Sequence, residues 1–195
     1  MSNISVRFKR LYGVFYNAFG SELYVVLLAT TLSIPAGMAI AAPTVQAGFS
    51  PEGSALQLVQ NILDNARQSI RLMGYSFTSP EVVKALIAAK RRGVDVKVVL
   101  DEKGNAGKAS QAAMNLLVNA DIPVRTVSRY KIMHDKIIVT DGQNIEVGSF
   151  NYSRAAATSN SENVLVLTGV PEVAKTYLAH WQARWEVGTD WQSTY

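Results

Sequence analysis

Hydrophobic residues recur with two different periods along the chain, and the changes between them predict where strands and helices lie. The run Val94–Leu100 (VDVKVVL) alternates and then becomes continuously apolar, which is typical of a β-strand near the centre of a sheet. The run LQLVQNIL at residues 56–63 has apolar residues three and four apart, which is typical of an amphipathic helix. The pairs Ser50-Pro51 and Ser79-Pro80 predict two helix starts, with serine as the cap and proline in the first turn.

The order of these elements indicates the fold class. Strands are predicted at residues 44–49, 69–77 and 94–100, each followed by a helical pattern, and this order favours parallel pairing. Farther along, Asp141-Gly142 separates two short apolar runs, which is a strong β-hairpin signal and adds an antiparallel portion. The sequence therefore predicts an α/β protein with a mixed β-sheet between helices.

The predicted hairpin brings reactive side chains together at its open end. Side chains alternate along a strand, so His134 and Lys136 share one face of the first arm. A two-residue loop places His134 opposite Ser149, whereas a four-residue loop (Asp141–Asn144) places His134 opposite Asn151 and Lys136 opposite Ser149. In either register a nucleophile lies among three hydrogen-bond donors, an arrangement suited to attack on phosphorus.

The spacing H-x-K-x4-D-x6-G-S-x-N resembles the motif of the phospholipase D superfamily. Six residues carry it: His134, Lys136, Asp141, Gly148, Ser149 and Asn151. The resemblance runs from about Val45 to the C-terminus and is strongest to the small, single-motif bacterial endonucleases of that family. It implies an α/β/α sandwich around a mixed sheet, and metal-independent hydrolysis of phosphodiesters through a phosphohistidine.

Each motif residue has an expected role. His134 is the candidate nucleophile, because a neutral imidazole can displace an alkoxide from phosphorus. Lys136 supplies a positive charge to a phosphate oxygen, and Ser149 and Asn151 supply neutral donors. Together these groups offset the charge on the phosphate oxygens, so no metal ion or other cofactor is expected.

The remaining candidates have supporting roles. Asp141 lies seven residues beyond His134, roughly 23 Å along an extended strand, so it is interpreted as a turn-former and structural hydrogen-bond acceptor. Gly148 is expected either to permit a close backbone approach or to relax the strand before Ser149. Glu162 begins the next predicted strand, Glu162–Leu167 (ENVLVL), and matches a glutamate that the family keeps after its motif. It is the candidate to orient the second nitrogen of His134. His180 is interpreted as structural.

Composition and charge narrow the function classes only slightly. The net charge is +4, and residues 42–195 hold 16 basic and 14 acidic residues, too small an excess to predict nucleic-acid binding alone. The absence of cysteine excludes disulfides and thiolate metal sites, and two histidines argue against a His-rich zinc site. The loop Asp101–Lys108 (DEKGNAGK) follows a predicted strand, and is either a substrate-contacting loop or a solvated connection.

Residues 1–41 are predicted to be a signal peptide, followed by a single catalytic domain at residues 42–195. Residues 23–42 carry no charge, and Ala39-Ile40-Ala41 matches the small-x-small pattern of signal-peptidase sites. The alternative is an uncleaved anchor, since about 20 apolar residues can span a bilayer. Pro35 and Gly37 interrupt that span, which favours cleavage. We therefore expect a periplasmic or secreted protein without stable membrane association once processed.

The single motif predicts a partner chain. In-line displacement requires a proton donor for the leaving oxygen, and only one motif histidine is present. A homodimer in which two His134 side chains face each other supplies the acid in one composite site. The expected function is a non-specific endonuclease acting on DNA or RNA. The alternatives are a phospholipase D-type lipid hydrolase and, less favoured, a non-catalytic nucleic-acid-binding module.

Overall fold

The computed structural model describes residues 42–194, so the predicted signal peptide at residues 1–41 lies outside the described part of the chain. The described strands are β1 (Thr44–Ser50), β2 (Ser69–Gly74), β3 (Asp95–Asp101), β4 (Val124–Val127), β5 (Lys136–Thr140), β6 (Asn144–Gly148), β7 (Glu162–Thr168) and β8 (Thr189–Asp190). The described helices are α1 (Ser54–Asn65), α2 (Pro80–Arg91), α3 (Lys108–Val118), α4 (Arg154–Thr158) and α5 (Pro171–Glu186). Within residues 42–194, none of the helices is long and apolar enough to cross a membrane.

The strands form one mixed sheet in the order β1-β7-β6-β5-β2-β3-β4-β8. β2, β3 and β4 pair in parallel, and the other neighbours pair antiparallel. Helices α2 and α3 connect the parallel strands, because a parallel pair needs a crossover between its ends. The predicted α/β class and mixed sheet are confirmed.

Helices cover both faces of the sheet. Buried residues of α1, α2 and α3 form one core with one sheet face, including Leu63, Leu86 and Leu117. Helix α5 covers part of the other face, where Trp181 packs in a second core and donates its indole N–H to the backbone carbonyl of Leu72 at 2.9 Å. The indole hydrogen bond satisfies the one polar atom of a buried tryptophan. This arrangement is the predicted α/β/α sandwich.

The two Ser-Pro pairs differ in outcome. Ser79 caps α2 as predicted, accepting a hydrogen bond from the backbone N–H of Val82, with Pro80 as the first helical residue. The predicted helix start at Ser50-Pro51 is wrong, because α1 begins only at Ser54, after Gly53 turns the backbone through a positive φ. The Ser54 hydroxyl bonds to the backbone of the preceding strand, and so closes a turn between β1 and α1.

The β5–β6 hairpin has a register between the two predicted ones. Asp141 and Gly142 both have positive φ, as a type I′ turn requires, but Thr140 pairs with Asn144 and leaves Gln143 as an extra residue. The Gln143 carbonyl accepts a hydrogen bond from the backbone of Val170, which stabilises this three-residue loop. Both predicted registers are therefore wrong by one residue.

Candidate functional site

One edge of the sheet collects the residues of the predicted motif except Asp141. β2 and β3 end at this edge with Gly74 and Asp101, and β5 begins there with Lys136, which pairs with Gly74. β6 ends at the same edge with Gly148, and β7 begins there with Glu162. The carboxyl ends of parallel strands are the usual place for ligands in open α/β sheets. This edge is the candidate functional site.

His134 lies at the front of the site. Its side chain is exposed, and it precedes β5 by two residues, because β2 ends at Gly74 and offers no further ladder partner. The prediction that His134 lies within the strand is therefore wrong. Its imidazole contacts the Tyr75 ring, with centroids 4.8 Å apart and planes tilted by 57°. An exposed imidazole supported on one side by a ring remains accessible to a substrate.

Lys136 lies behind His134 and is only 5% exposed. Its ammonium donates a hydrogen bond to the backbone carbonyl of His134 at 2.9 Å and lies 5.3 Å from the centre of the Tyr75 ring. Burial lowers the pKa of Lys136 below that of an ordinary lysine, and Asp135 and Glu162 partly oppose this shift. Charges in such poorly hydrated positions act strongly on a bound anion.

Ser149 is bonded to Glu162 rather than placed opposite His134. The Ser149 hydroxyl donates to Oε2 of Glu162 at 2.6 Å, and the other carboxylate oxygen accepts from the Asn160 side chain at 2.9 Å. The backbone N–H of Asn163 donates to the same hydroxyl. The predicted contact of Glu162 with His134 of the same chain is not among the hydrogen bonds of the described residues. The negative charge of Glu162 nonetheless acts on Lys136, because it raises the pKa of that lysine and so partly offsets the effect of burial.

Gly148 lies where two strands come close together. A Cβ atom at this position would be 2.1 Å from the backbone oxygen of Asn163, which no real side chain tolerates. Gly148 falls opposite Lys136 when the β5–β6 register is extended by one pair. The missing side chain therefore leaves room for the neighbouring strand and adds no atoms beside the lysine.

Asn151 has a hydrogen-bonded backbone carbonyl and a side-chain oxygen that has no partner among the described residues. Its carbonyl accepts from the N–H of Ser153 at 2.7 Å, and the next carbonyl, of Tyr152, accepts from Thr78 and Ser79. The side-chain Oδ1 of Asn151 is buried and has no hydrogen-bond partner within the described part of the chain. Buried polar atoms normally have partners, so this oxygen is available to accept from a donor of a bound group, while the Nδ2 of the same amide is the atom that can donate to a phosphate oxygen.

Asp141 lies at the opposite end of the hairpin, away from His134. Its carboxylate accepts from the backbone N–H groups of Arg67, Gln68 and Ser69 at 2.7–3.1 Å. These bonds join the β5–β6 turn to the start of β2. Asp141 has the geometry of a turn-former and structural acceptor, while the other motif residues surround the site.

Two further residues of the site do not belong to the motif. Tyr75 contacts both His134 and Lys136, and the buried Asp101 accepts a hydrogen bond from the backbone of Met133 at 2.7 Å. The available signal was their position just after or at the end of strands β2 and β3, because parallel strands end at the same sheet edge. The predicted strand 69–77 instead placed Tyr75 within the sheet.

The second histidine lies near the site on another element. His180 on α5 has its Nε2 3.3 Å from Oδ1 of Asp135, the residue between His134 and Lys136. Both side chains are partly exposed. This contact connects α5 to the segment that carries the imidazole and the ammonium.

The described residues show no arrangement suited to a resident metal ion. Within residues 42–194, no group of three or more His, Cys, Asp and Glu side chains is placed to hold one.

Comparison with known proteins gives a consistent set of relatives. A family model described as "Cardiolipin synthase, PLD-like domain" matches residues 59–185. The crystal structure of Nuc from Salmonella typhimurium, a phospholipase D family member, matches with a TM-score of 0.77 and 55% identity, covering 78% of this chain and 100% of that one. A phospholipase D from Rickettsia bellii is 35% identical over 136 residues, covering 70% of this chain and 66% of the relative. A mitochondrial cardiolipin hydrolase from Xenopus laevis is 34% identical over 121 residues, covering 62% and 56%.

The matches differ in how much of each relative they cover, but they point to one family. The chain spans 66% and 56% of the lengths of the two curated relatives, so their names describe longer proteins. Nuc, by contrast, is covered over its full length and shares the same fold. Together with the motif residues at one sheet edge, the family match over most of the described part shows that the chain belongs to the phospholipase D superfamily.

Proposed function

We propose that this protein is a metal-independent phosphodiesterase, acting as a non-specific endonuclease on DNA or RNA through a phosphohistidine on His134. The observation that carries the proposal is an exposed imidazole beside a buried ammonium, both at one edge of the sheet. His134 is accessible to a bulky substrate, and Lys136 places positive charge directly behind it. Nucleophile and charge stabiliser are therefore side by side.

The proposed reaction has two displacements at phosphorus. First, a ring nitrogen of His134 forms a bond to phosphorus, the bond to the leaving oxygen breaks, and an acid gives that oxygen a proton. Then water attacks the phosphohistidine, the phosphorus–nitrogen bond breaks, and the conjugate base takes the proton of the water. Lys136 and the Asn151 amide stabilise the negative oxygens in both steps.

The acid is proposed to come from a second copy of the chain. Val45 and Phe49 on β1 are 64% and 55% exposed, and with Leu165 on β7 they form an apolar sheet face, here called the β1–β7 face. Phe49 pairs with Asn163, one residue from Glu162, so the face adjoins the site. A two-fold dimer across it would bring a second His134 to the scissile phosphate.

Exposed cations support nucleic acid as the substrate. Lys103 lies on the connection after β3, and Lys108 is the first residue of α3, where that connection ends. Arg129 and Lys131 lie on the connection after β4. Both connections leave the sheet at the edge that carries His134. A polyanionic backbone passing over the site would meet four exposed positive charges, which is the usual basis of sequence-independent binding. The 101–108 loop is therefore proposed to contact the substrate.

A phospholipid substrate is the second candidate. It is favoured by the names of two curated relatives, a phospholipase D and a mitochondrial cardiolipin hydrolase. Ile132, two residues before His134, is the exposed large apolar side chain nearest to it in sequence among the described residues. One isolated isoleucine is a small contact for a lipid surface compared with the four cations.

A direct comparison of substrates tests the proposal. Plasmid DNA and phosphatidylcholine vesicles are incubated with the protein in excess EDTA, and DNA nicking and choline release are measured. Nicking that persists in EDTA and disappears in His134→Asn supports the proposal, with His180→Asn as the matched control that also loses one imidazole. Choline release without nicking would favour the lipid hydrolase. Activity that requires added Mg²⁺ or Zn²⁺ would overturn the metal-independent mechanism.

A further inference from the structure

A buried polar cluster lies directly below His134 and Tyr75, outside the family motif. Asp101, at the end of β3, is 2% exposed. Its Oδ1 accepts from the backbone N–H of Gly104, and its Oδ2 accepts from the backbone N–H of Met133, both at 2.7 Å. Met133 is itself buried and immediately precedes His134. One carboxylate thus fixes both the loop after β3 and the segment that leads into the nucleophile.

Asn105 completes the cluster, and is 1% exposed. Its amide nitrogen donates to the carbonyls of Tyr75 and Asp101 at 2.7 and 2.8 Å, and its oxygen accepts from the N–H of Phe77 at 2.9 Å. Both amide protons are therefore used, and the backbone on either side of residue 76 is held. An Asn with three partners and so little exposure has one defined orientation.

The turn that carries Asn105 also packs against the Tyr75 ring. A Cβ at Gly104 would lie 2.7 Å from the backbone oxygen of Tyr75 and 2.9 Å from its ring. The same ring lies 4.8 Å from the imidazole of His134. The turn therefore fixes where the Tyr75 ring lies, and the Tyr75 ring in turn limits where the His134 imidazole can lie.

We propose that Asp101 and Asn105 are positioning residues that orient the His134 imidazole, Asp101 through the backbone of Met133 and Asn105 through Tyr75. Neither side chain contacts the substrate in this proposal, because the polar atoms of both are already hydrogen-bonded to backbone groups. The proposal rests on the proposed phosphodiesterase function for its catalytic consequence, but the orientation of the ring can be measured without activity.

The kinetic test uses isosteric substitutions. Asp101→Asn turns one acceptor into a donor facing a backbone N–H, and we expect kcat on a chromogenic phosphodiester to fall about 10- to 100-fold with KM within about twofold. Asp95→Asn makes the same change on the same strand, at an exposed carboxylate paired with Arg71, and should keep the activity of the unmodified protein. A folded Asp101→Asn protein with unchanged kcat would overturn the inference.

A second variant separates positioning from stability. Asn105→Ala should lower kcat, and this loss should shrink in a Tyr75→Ala background if Asn105 acts through the ring. Independent effects would multiply, and would contradict the proposed route. The comparison remains valid if Asp101→Asn fails to fold.

A spectroscopic measurement distinguishes failure of this inference from failure of the proposed function. The chain has only two histidines, so the His134 ring resonances are assigned by comparison with His134→Asn. We expect these resonances to shift in Asp101→Asn and Asn105→Ala but not in Asp95→Asn. Shifts in a protein that is inactive on every phosphodiester would uphold the positioning and reject the function. Unshifted resonances in both variants would reject the positioning.

Discussion

The hydroxyl of Tyr152 donates a hydrogen bond to Oε2 of Glu146 at 2.8 Å, and both side chains are fully buried in the core beneath the site. Burial raises the pKa of Glu146 to about 8, although the tyrosine hydrogen bond opposes the shift. Burial and the neighbouring carboxyl also raise the pKa of Tyr152. At neutral pH the pair is therefore uncharged and hydrogen-bonded in the core.

This pair predicts a specific dependence of stability on pH. The unfolded carboxyl of Glu146 ionises near pH 4.5, whereas the folded one keeps its proton up to about pH 8. Between these values the folded state binds more protons, so its contribution to stability falls as pH rises and levels off above the folded pKa. Glu146→Gln should remove this loss, and gain a few kcal/mol relative to the unmodified protein between pH 5 and pH 9.

Urea unfolding at pH 5 and pH 9 measures the effect. Tyr152→Phe is the companion variant, because it removes the hydroxyl but leaves the carboxyl in place. A free-energy difference between Glu146→Gln and the unmodified protein that does not change with pH would contradict the raised pKa.

A second prediction separates charge from stability at Lys136. Its ammonium is buried and its pKa is lowered by that burial, so replacing it with an apolar chain of similar length removes a desolvated charge. Lys136→Met should therefore unfold at the same or a higher urea concentration at pH 7. Its turnover should fall by roughly 100-fold or more, because the charge on the phosphate oxygens is no longer offset. Unchanged turnover would remove Lys136 from the mechanism.

The two histidines should differ in whether they carry the phosphoryl group and in how much turnover depends on them. With a slowly hydrolysed phosphodiester, a rapid quench at high pH should trap a phosphoryl adduct on His134, which is base-stable and acid-labile. His180→Asn, which loses only the contact with Asp135, should reduce turnover by no more than about threefold, as expected of a group that acts through another. Mass spectrometry locates the adduct, and its appearance on His180 would reverse the two assignments.

The sequence predicted which residues lie together better than it predicted their geometry. The fixed spacing from His134 to Asn151 is local, so it was sufficient to predict the hairpin and to place these residues, Asp141 excepted, at its open end. The register depends on the bond from Val170 to Gln143, between segments 27 residues apart, which no local pattern contains. Tyr75 could not be predicted for a similar reason, since its contact with His134 joins two loops that only the antiparallel pairing of β2 with β5 brings together.

The hydrogen-bond partners of Glu162 could not be predicted from the sequence either. The sequence correctly placed it at the start of β7, but its side chain binds Ser149 and Asn160 rather than His134. Which donors a carboxylate accepts from depends on ångström-scale strand offsets, and a one-residue change of register alters those offsets.

The N-terminal prediction is tested on exported protein. If Ala39-Ile40-Ala41 is a cleavage site, the mature chain begins at Ala42, two residues before β1. Intact-mass measurement of protein from the periplasmic fraction should give that N-terminus. Full-length chain recovered from the membrane fraction would support the uncleaved anchor instead.

The β1–β7 face predicts how the proposed dimer can be disrupted. Phe49→Glu places a charge in the middle of this face while leaving the core unchanged, since Phe49 is exposed. We expect a folded monomer by light scattering with little phosphodiesterase activity, because buried unpaired charge is costly at an apolar interface. Leu116→Glu, at another exposed apolar residue on α3, is the control and should remain dimeric and active. A fully active Phe49→Glu monomer would mean that the acid lies within one chain.

The final prediction concerns one composite site in each dimer. Unmodified chains are unfolded and refolded with an equal amount of His134→Asn chains, and random pairing makes about a quarter of the dimers fully unmodified. If each reaction needs both imidazoles, one attacking and one protonating the leaving oxygen, activity should be near a quarter of an unmixed sample at equal chain concentration. Independent sites would leave about half. A mixed dimer can still be phosphorylated where the leaving oxygen needs little protonation, so a substrate with a nitrophenol leaving group should move the result toward half. That dependence on the leaving group distinguishes a missing acid from a dimer that merely fails to assemble.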